Sequence, residues 1–484
     1  MENPIDAEKR AITAKKEENF SEWYTQVVIN SEFVDYSAVS GCIVFRPSSY
    51  FAWNEIRKNV GDKFQKVGIK DAYFPMLIPE RFLDKEKEHV EGFSPEVAWV
   101  TQTGNSTLSE RLAIRPTSET IMYDSFAKWI RSWRDLPLRL NQWNTVIRWE
   151  FKHPTPLLRS REFMWNEGHT VFATENEANA ERDVILGIYA DVIKNYLAIP
   201  GIPGRKTDYE KFAGAVASYS IEHMVPDGHA IQGPDFHNDG QNFAKAFEIS
   251  YIDKNNQRVY AYQNTFAIST RELGVVVMTH SDNKGLVLPP RIALIQIVII
   301  PIYKDENKEA VMAYAKKVEE ALSGRFRVYM DDRDDYSVGW KFNEWELKGV
   351  PLRIEIGQKE ASSNQVTATV RHTGKKYIIK QENLPDKCAE ILDVMHNELY
   401  EAAAHFMETH IKEVEDYEGL KNAIANGNFA QAKWCGKTEC EIKIKEETGA
   451  KSTNMPFDKQ GSISGNCVYC GSKAKYVVNF AKSY

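Results

Sequence analysis

The sequence has little cysteine, no long hydrophobic run and no large excess of charge of one sign. Only 6 of its 484 residues are cysteine. The longest apolar run, 297–300 with apolar flanks, falls far short of the roughly 20 residues that cross a bilayer. Residues 1–18 are charged and lack the apolar core of a secretion signal. We therefore predict a cytoplasmic protein that does not enter a membrane.

The charge balance limits the kind of partner. Lys and Arg total 61 against 68 Asp and Glu, which gives a net charge of −7. This excludes a wholly basic nucleic-acid coat protein but leaves room for a local basic face. Hydrophobic residues make up 43% and charged residues 27%, as in folded soluble proteins.

The order of predicted elements divides the chain into three domains. Residues 1–285 interleave helices with adjacent strands, including a predicted strand at 274–280, which indicates an antiparallel or mixed sheet covered by helices. Residues 286–384 alternate strand and helix, as expected for a compact α/β domain with a mostly parallel core. Residues 385–484 begin with a long charged helix and contain four of the cysteines.

The densest functional signal is a group of arginines, carboxylates and aromatic residues. Arg148 and Glu150 are followed by Arg159 and Phe163. The planar guanidinium binds phosphate oxygens in pairs and stays charged, and an aromatic face can stack on a base. A salt-bridged, solvent-facing hairpin is the structural alternative.

Four motifs resemble those of the class II aminoacyl-tRNA synthetases, in the form found in the prolyl-tRNA synthetases. Arg148-Trp149-Glu150 with Arg159 to His169 resembles motif 2, Gly68 to Pro75 resembles motif 1, and Ser269-Thr270-Arg271 resembles motif 3. The loop Arg115-Pro116-Thr117-Ser118-Glu119 resembles the segment that reads the amino acid, and residues 337–357 resemble the anticodon-binding domain of class IIa.

This resemblance implies both a fold and a reaction. The fold would be an α+β catalytic domain with the class II antiparallel sheet, an α/β anticodon-binding domain and a small C-terminal zinc-binding α+β domain. The enzyme would be a homodimer that activates L-proline with ATP and Mg²⁺ and transfers it to the 3′ end of tRNA(Pro).

The resemblance also implies roles for individual residues. Arg148 and Arg271 would be catalytic. The ATP-binding residues would be Arg148, Glu150, Arg159, Phe163, Gln232, Ser269 and Arg271. The proline-binding residues would be Thr117, Glu119, Arg148, Trp165 and His237. Glu346 and Arg353 would contact the anticodon, where unstacked bases expose their edges.

The sequence departs from the family pattern beside the expected substrate pocket. Pro234, Asp235 and Phe236 stand where small and hydroxyl residues are usual, and Phe266–Ala267 replaces the more usual Trp–Gly or Trp–Ala pair. Because of these departures, the sequence does not predict the fine shape of the pocket or how strictly it selects the amino acid.

The clustered cysteines predict a structural zinc site. Cys435 and Cys440 form one short pair, and Cys467 and Cys470 form the other. Four thiolates make the closed tetrahedral site that zinc prefers, with no position left for a substrate. By resemblance, the terminal Tyr484 would reach back toward the catalytic centre.

Two other functions remain open at this stage. One is a synthetase-like paralogue that binds tRNA without catalysis, although such a protein would be expected to lose Arg148, Arg159 and Arg271. The other is a class IIa synthetase for a different amino acid, such as threonine. Those enzymes use zinc in the active site, whereas the cysteines here lie outside the catalytic motifs.

Overall fold

The computed structural model of the chain describes residues 11–89, 96–150 and 153–484. Three stretches of the predicted catalytic domain, residues 1–10, 90–95 and 151–152, therefore lie outside the described residues, and so do the side chains of residues 85–89. Within the described ranges, no helix combines the length and the apolar character needed to cross a bilayer.

The first part of the chain alternates helices with strands, in line with its mixed sequence pattern. Its elements are α1 (Phe20–Asn30), β1 (Val34–Tyr36), β2 (Ile43–Phe45), α2 (Pro47–Lys66), β3 (Lys70–Asp71), β4 (Leu77–Pro79), α3 (Glu80–His89), β5 (Trp99–Thr103), β6 (Ser106–Ile114), α4 (Glu119–Trp129), β7 (Leu138–Ile147), β8 (Glu162–Phe172), α5 (Glu175–Asn195), β9 (Ile202–Arg205), β10 (Ala217–Met224), β11 (Ala230–Gly240), α6 (Asn242–Ala246), β12 (Ser250–Ile252), β13 (Arg258–Tyr260), β14 (Tyr262–Ala267) and α7 (Arg271–His280).

The remainder forms two further groups of elements. They are β15 (Ile297–Pro301), α8 (Lys308–Ser323), β16 (Val328–Met330), α9 (Val338–Leu347), β17 (Leu352–Ile356), α10 (Gln358–Ser362), β18 (Gln365–Val370), β19 (Lys376–Lys380), α11 (Leu384–His410), β20 (Ile411–Val414), α12 (Tyr417–Ala425), β21 (Phe429–Trp434), α13 (Thr438–Thr448), β22 (Lys451–Pro456) and β23 (Tyr476–Ala481).

The central sheet has eleven strands in the order β20-β21-β23-β22-β9-β10-β11-β14-β8-β7-β3. From β9 to β7 every neighbouring pair is antiparallel, so the predicted class II fold with its antiparallel sheet is confirmed. β7 and β8 pair in unbroken register from Leu138 opposite Val171 to Ile147 opposite Glu162. The loop that connects the two strands of this long hairpin begins with Arg148 and contains Arg159.

Helix α5 covers one face of the sheet. It begins with a capping box, in which Thr174 accepts from the Glu177 amide and Glu177 accepts from the Thr174 amide, a pattern that satisfies two otherwise unpaired donors. Its Ile185 and Tyr189 join Phe64 of α2 in the largest apolar core. The opposite face, toward α4, is left for the cleft described below.

The prediction of a strand at 274–280 is wrong, because these residues belong to helix α7. Every residue from Glu272 to Met278 is buried. A short run that is apolar on all sides has no helical periodicity, so its sequence does not distinguish a buried helix from a buried strand.

The second sheet has the order β16-β15-β17-β18-β19. β15 lies parallel to both neighbours, and β18 and β19 continue the sheet in antiparallel fashion. Ile297 to Ile300 are fully buried, which explains the longest apolar run of the sequence as a central strand covered on both faces. This is the predicted α/β domain.

The last four strands extend the central sheet. β22 pairs with β23 on one side and with β9 on the other, through Met455 opposite Arg205 and Pro456 opposite Gly204. A Cβ at Gly204 would lie 2.5 Å from the Met455 carbonyl oxygen, so glycine permits this close approach. The C-terminal region is therefore hydrogen-bonded to the catalytic region through the backbone.

Candidate active site

A cleft of about 260 Å³ opens on the α4 face of the central sheet, above β7, β8, β14, β11 and β10. The five residues predicted to contact proline all line it: Thr117, Glu119, Arg148, Trp165 and His237. Gln232, predicted for ATP, lines it too. Residues separated by more than a hundred positions in sequence therefore meet at one site.

Two buried carboxylates lie at its closed end. Glu119, in the first turn of α4, is 5% exposed and Glu167 of β8 is 3% exposed. The Thr117 hydroxyl lies 2.9 Å from Glu167 Oε1 and also within hydrogen-bond distance of Glu119. Because a hydroxyl has one proton to donate, these carboxylates keep acceptor capacity for a cationic ligand.

Glu167 has a structural role that the sequence interpretation did not assign. Its carboxylate accepts from the Ser118 amide at 2.8 Å, the Ser118 hydroxyl at 2.5 Å and the Asn144 amide nitrogen at 2.5 Å. These bonds join the start of α4 to β7 and β8. The available signal was alternation along β8, since Glu167 lies two residues after Trp165 and so shares its face.

Three aromatic rings form a wall of the cleft. The indole of Trp165 donates to Asn144 Oδ1 at 2.7 Å. The ring of Phe212 stacks on His237 with centroids 4.8 Å apart and planes at 26°. His237 Nδ1 lies 2.8 Å from the Ser218 hydroxyl. Phe212 lies in a loop without a recognisable motif, so the sequence did not indicate its role.

Two arginines lie at the other end of the site, Arg148 in the cleft lining and Arg271 beside it. Arg148 Nε donates to the Pro116 carbonyl at 3.0 Å, and its guanidinium lies 5.0 Å from the Trp165 ring centroid. Arg271, the first residue of α7, donates to the carbonyls of Leu158 at 3.3 Å and Gln232 at 3.2 Å.

The two guanidinium groups are close enough to affect each other. Burial lowers the pKa of Arg271; the Glu272 carboxylate opposes this, and the positive charge of Arg148 adds to the lowering. An arginine remains charged under these conditions. The buried Arg271 and the partly exposed Arg148 place two positive charges near each other, which creates a local site for an anion with several oxygens.

The other residues predicted for ATP lie around the cleft rather than in its lining. Phe163 makes an edge contact with Trp165, with centroids 5.5 Å apart. Ser269 pairs with Trp165 through the backbone. Arg159 closes a tight turn by backbone bonds with Thr155, and Glu150 is exposed beyond the end of β7.

Two of the departures from the family pattern pack against each other. Phe236 and Phe266 are fully buried on adjacent strands, with ring centroids 6.2 Å apart and planes at 1°. The larger side chain at 236 is thus combined with a smaller ring at 266. A Cβ at Gly168 would lie 1.9 Å from the Phe266 ring, so this packing needs glycine on β8.

Asp235 differs from its neighbours because it faces the cleft. Its carboxylate lies 3.6 Å from His237 Nε2 and accepts from the Gln232 amide at 3.1 Å. It therefore adds a negative charge between the aromatic wall and the two arginines.

A buried ion pair supports the arginine end from below. His223 Nε2 lies 3.1 Å from Glu272 Oε2, and His223 Nδ1 lies 2.8 Å from the Pro200 carbonyl oxygen. Burial opposes the charged imidazole, but the Glu272 carboxylate outweighs it and raises the pKa of His223. A Cβ at Gly233 would lie 2.4 Å from His223 Nε2, so the strand passes directly over this pair.

The predicted anticodon residues lie far along the chain, on the α/β domain. Glu346 of α9 accepts from Lys284 at 2.9 Å. Arg353 of β17 donates to Glu355 at 2.9 Å and lies 3.9 Å above the Phe342 ring. The structure does not bring either residue to the cleft lining.

The four C-terminal cysteines form one cluster. The sulfur atoms of Cys435, Cys440, Cys467 and Cys470 all lie within 4.8 Å of one another. Cys435 Sγ is 3.7 Å from both Cys440 Sγ and Cys470 Sγ. Zinc–sulfur bonds of about 2.3 Å in a tetrahedron put sulfur atoms about 3.8 Å apart, so the donor set fits a zinc ion.

The C-terminal residues end beside β11. The Ala230 amide donates to the Lys482 carbonyl at 2.7 Å, and the Tyr484 amide donates to the Ala230 carbonyl at 3.2 Å. The Tyr484 phenol donates to Asp227 at 2.5 Å, in the turn before β11. The Tyr484 backbone is thus bound at Ala230, two residues before Gln232, while its phenol lies at Asp227, and Tyr484 is not part of the cleft lining.

Comparison with known proteins identifies the family. Residues 99–280 match the model of the tRNA synthetase class II core domain (G, H, P, S and T), residues 296–391 match the anticodon binding domain, and residues 417–484 match the C-terminal domain of prolyl-tRNA synthetase. The fold and the motifs thus define a class II aminoacyl-tRNA synthetase, an aminoacyl-tRNA ligase.

Full-length relatives make the assignment more specific. The chain is 47% identical to a proline–tRNA ligase of Agathobacter rectalis over 99% of both chains. It is 44% identical to one of Cenarchaeum symbiosum, covering 98% of this chain and 100% of that one. It superposes on the crystal structure of prolyl-tRNA synthetase from Cryptosporidium parvum complexed with halofuginone and AMPPNP, with a TM-score of 0.93, 42% identity and coverage of 98% and 100%. The chain belongs to the prolyl-tRNA synthetase family.

Proposed function

We propose that the cleft binds L-proline and ATP, forms prolyl-adenylate and passes the prolyl group to tRNA(Pro). The observation that carries this proposal is the polarity of the cleft. Two buried carboxylates, Glu119 and Glu167, lie at the closed end of the cleft. Arg148 lines the other end, and Arg271 lies beside it, where it donates to the carbonyl of the lining residue Gln232. The ammonium group of a bound amino acid would face the two carboxylates, and its carboxylate would face the arginines.

Proline is held by its ammonium and by its ring. Glu119 and Thr117 accept the two N–H bonds of the secondary ammonium, while Glu167 fixes their positions through Ser118. Trp165, Phe212 and His237 surround the apolar ring. A ring enclosed by aromatic walls loses water on binding, which contributes most of the affinity for an apolar group.

The first reaction step is an in-line displacement. The proline carboxylate oxygen attacks the α-phosphorus of ATP, and pyrophosphate leaves. Arg148 neutralises the carboxylate and the α-phosphate, while Arg159 and Arg271 hold the β- and γ-phosphates of ATP, which enters as its magnesium complex. Positioning and charge neutralisation provide the acceleration.

The nucleoside of ATP is held beside the arginines. Phe163 and Arg271 enclose the adenine, and Glu150 faces its edge. Gln232 and Ser269 supply further contacts. The ATP analogue named for the Cryptosporidium parvum relative supports this part of the proposal.

In the second step, a hydroxyl of the terminal adenosine of tRNA attacks the prolyl carbonyl carbon, and AMP leaves. The anticodon of the same tRNA binds the α/β domain, where Glu346 and Arg353 contact base edges. We assign residues 1–285 to the catalytic domain, 286–384 to the anticodon-binding domain, and 385–484 to the linker helix and C-terminal domain.

The four-cysteine cluster holds a structural zinc ion. Cys435, Cys440, Cys467 and Cys470 supply all four ligands. When bound, the ion supplies cross-linking energy that keeps a small module folded.

The enzyme acts in the cytoplasm as a homodimer. The segment resembling motif 1 and the two residues that follow it support dimerisation, since Tyr73 is 71% exposed, Met76 46% and Leu77 38%. Exposed apolar residues grouped in this way are typical of protein interfaces.

ATP–pyrophosphate exchange with each of the twenty amino acids tests the activity. We expect L-proline to drive exchange far better than any other standard amino acid. Exchange driven by another amino acid would indicate a synthetase of different specificity, and no exchange at all would indicate an inactive tRNA-binding paralogue.

A further inference from the structure

Strand β11 contains one extra residue where it passes the cleft. On β10, Ser220 and Glu222 are two residues apart. Their partners on β11 are Asp235 and Gln232, which are three residues apart. Such a bulge bends a strand and redirects its side chains, and bulges are common next to active sites. Pro234, one of the departures from the family pattern, lies within this bulge, where a proline is tolerated because it need not donate to the sheet.

The bulge turns Gln232 and Asp235 toward the same face of the sheet. In a regular strand, residues two apart share a face, whereas residues three apart lie on opposite faces. Here both side chains line the cleft, and Gln232 Nε2 donates to Asp235 Oδ2 at 3.1 Å. Arg271 donates to the Gln232 carbonyl at 3.2 Å. The extra residue therefore brings an amide and a carboxylate together beside the arginines.

The bond between the two side chains fixes the direction of the Gln232 amide. An ionised carboxylate only accepts hydrogen bonds, whereas an amide has a donating nitrogen and an accepting oxygen. Asp235 can therefore bind only the nitrogen of Gln232, and the amide oxygen, Oε1, is left for another partner. A hydroxyl residue in place of Asp235 could donate as well as accept, so it would not impose this direction.

The pair thus offers two acceptor atoms to a ligand. Within the described ranges, no protein group donates to Gln232 Oε1 or to Asp235 Oδ1, because the Asp235 oxygen bound by Gln232 is Oδ2. His237 Nε2 lies 3.6 Å from the same Oδ2. Gln232 and Asp235 are both partly exposed in the cleft. Two neighbouring acceptors select a ligand group that has two neighbouring donors.

The ribose is the part of ATP that has such donors. Its two vicinal hydroxyls can both donate, whereas the phosphate oxygens mainly accept. The ribose is joined directly to the α-phosphate, and Arg148, assigned to that phosphate, lines the cleft together with Gln232 and Asp235. Phe163 and Glu150, assigned to the adenine, lie outside this lining. The cleft therefore places the acceptor pair nearer to the ribose than to the base.

We propose that Asp235 and Gln232 bind the two vicinal hydroxyls of the ATP ribose and so select ATP over its deoxy analogues. Asp235 accepts from one hydroxyl and orients the Gln232 amide to accept from the other. This inference rests on the proposed function, because it takes the α-phosphate at Arg148 as given. Carboxylates recognise ribose hydroxyls in other nucleotide sites for the same reason, since they accept without donating.

The selection follows from the strength of a hydrogen bond to a charged acceptor. Such bonds are stronger than those between neutral groups. A deoxy analogue leaves one acceptor of the pair without its donor. Loss of one such bond lowers kcat/KM by about fivefold or more. The ratio of kcat/KM for ATP to that for each analogue therefore measures the contribution of the pair.

The test is proline-dependent pyrophosphate exchange with ATP, 2′-deoxy-ATP and 3′-deoxy-ATP. In the wild type, kcat/KM should be at least about fivefold lower for one or both analogues than for ATP. Asp235→Ala should remove most of this difference by lowering kcat/KM for ATP, while the KM for L-proline stays close to that of the wild type. The isosteric Asp235→Asn should remove less, because its amide still has an accepting oxygen.

Further variants separate this role from general effects of charge and folding. Gln232→Leu should also reduce the difference between ATP and a deoxy analogue. Glu210→Gln is the matched control, because Glu210 is a carboxylate of the cleft lining that lies near Lys445 and Lys451 instead of Gln232. It should leave the ratios unchanged. Thermal unfolding shows whether each variant is folded.

Purine riboside triphosphate, which lacks the adenine amino group, tests the alternative donor on ATP. Asp235→Ala should leave the ratio of ATP to this analogue unchanged. A change in that ratio alone, or deoxy ratios that Asp235→Ala and Gln232→Leu both leave at the wild-type value, would overturn this inference while leaving the proposed function intact. A lack of exchange with ATP and L-proline in the wild type would overturn the proposed function and this inference with it.

Discussion

The Arg148 side chain is held to the scaffold by the bond from Nε to the Pro116 carbonyl, and its guanidinium rests against the rings of Phe163 and Trp165. Its side chain lies at the cleft rather than in the apolar core. Removing it should therefore affect bound anions much more than folding.

We expect Arg148→Ala to reduce proline-dependent pyrophosphate exchange by at least about 100-fold, because the variant loses a charge aimed at the reacting phosphate. Its thermal unfolding midpoint should stay close to that of the wild type. Arg134→Ala is the matched control, since Arg134 is an exposed arginine that also lies over an aromatic ring, that of Trp133. Near-normal exchange by Arg148→Ala would contradict the assigned role.

For single residues, the sequence predicted which residues belong to the site better than it predicted which residues they contact. Thr117, Glu119, Arg148, Trp165 and His237 were selected from motifs, and all of them line one cleft. Phe212 was missed because its position depends on a loop that meets the strands only in the folded chain. A motif specifies a local spacing, whereas a pocket wall is assembled from distant segments.

Helix α7 shows what an element contributes to the site. Its first residue is Arg271, and its second, Glu272, forms the buried pair with His223. The sequence predicted the importance of Arg271 from motif 3 but gave the wrong element, since a run of buried valines has no preferred periodicity.

The buried pair predicts a pH dependence of stability. The pKa of His223 is raised in the folded state by Glu272, above the unfolded value of about 6.5. Such a group stabilises the folded protein below the unfolded pKa, and this contribution is lost as the pH rises through the folded pKa.

Thermal unfolding between pH 5.5 and 9 checks this. The difference in unfolding temperature between the wild type and Glu272→Gln should be largest at the acid end and shrink as the pH rises. Glu175→Gln, at an exposed position in the first turn of α5, serves as the control and should show no such trend. A difference independent of pH would contradict a charged His223.

The loop between β9 and β10 forms a second wall of the cleft and depends on the C-terminal region. Thr207 donates to Glu441 of α13 at 2.8 Å, and Lys206 donates to the Thr453 carbonyl at 2.7 Å. Phe212, which stacks on His237, lies at the end of the same loop. The aromatic wall is therefore supported from outside the catalytic region.

We expect Glu441→Ala to raise the KM for the imino acid by about fivefold, because Thr207 loses a buried partner whose bond is worth about 1 kcal/mol, while kcat changes less. Glu446→Ala is the control, as Glu446 lies on the same helix but pairs with Lys443 in solvent. An unchanged KM in a folded Glu441→Ala protein would show that the loop keeps its conformation without the bond to Glu441.

The whole molecule is organised around one sheet that crosses a domain boundary. Domain order and sheet types could be predicted from the alternation of elements along the chain. The pairing of β22 with β9 could not, because it joins strands about 250 residues apart and short strands carry no signal for their distant partners.

The cysteine cluster is at the far end of this sheet. We expect Cys467→Ser with Cys470→Ser to abolish zinc binding, measured by elemental analysis of the purified protein, and to lower the unfolding temperature of the C-terminal region, because metal binding and folding are coupled in small modules. Cys42 lies outside the cluster, so Cys42→Ser should change neither the zinc content nor the unfolding temperature. Full zinc content in the double variant would refute the four-cysteine ligand set.

The terminal residues offer a separate test. Deleting Ser483 and Tyr484 removes the bonds from Tyr484 to the Ala230 carbonyl and to Asp227 but none of the cysteines. We expect lower proline activation with unchanged zinc content, because β11 carries Gln232, Asp235 and His237 into the cleft. If the shortened chain exchanges pyrophosphate at the wild-type rate, Ser483 and Tyr484 contribute only to strand pairing and not to proline activation.

The position of Tyr484 has a consequence for synthesis in the cell. A chain made from its N-terminus folds its earlier domains first, so β9, β10 and β11 can pair while translation continues. The residues that bond to Ala230 and Asp227 are Lys482 and Tyr484, about 250 residues later in the chain. A nascent chain that has not yet reached the C-terminal region therefore lacks the pairing at the start of β11, and the strands beneath the cleft obtain this support only when that region has been synthesised.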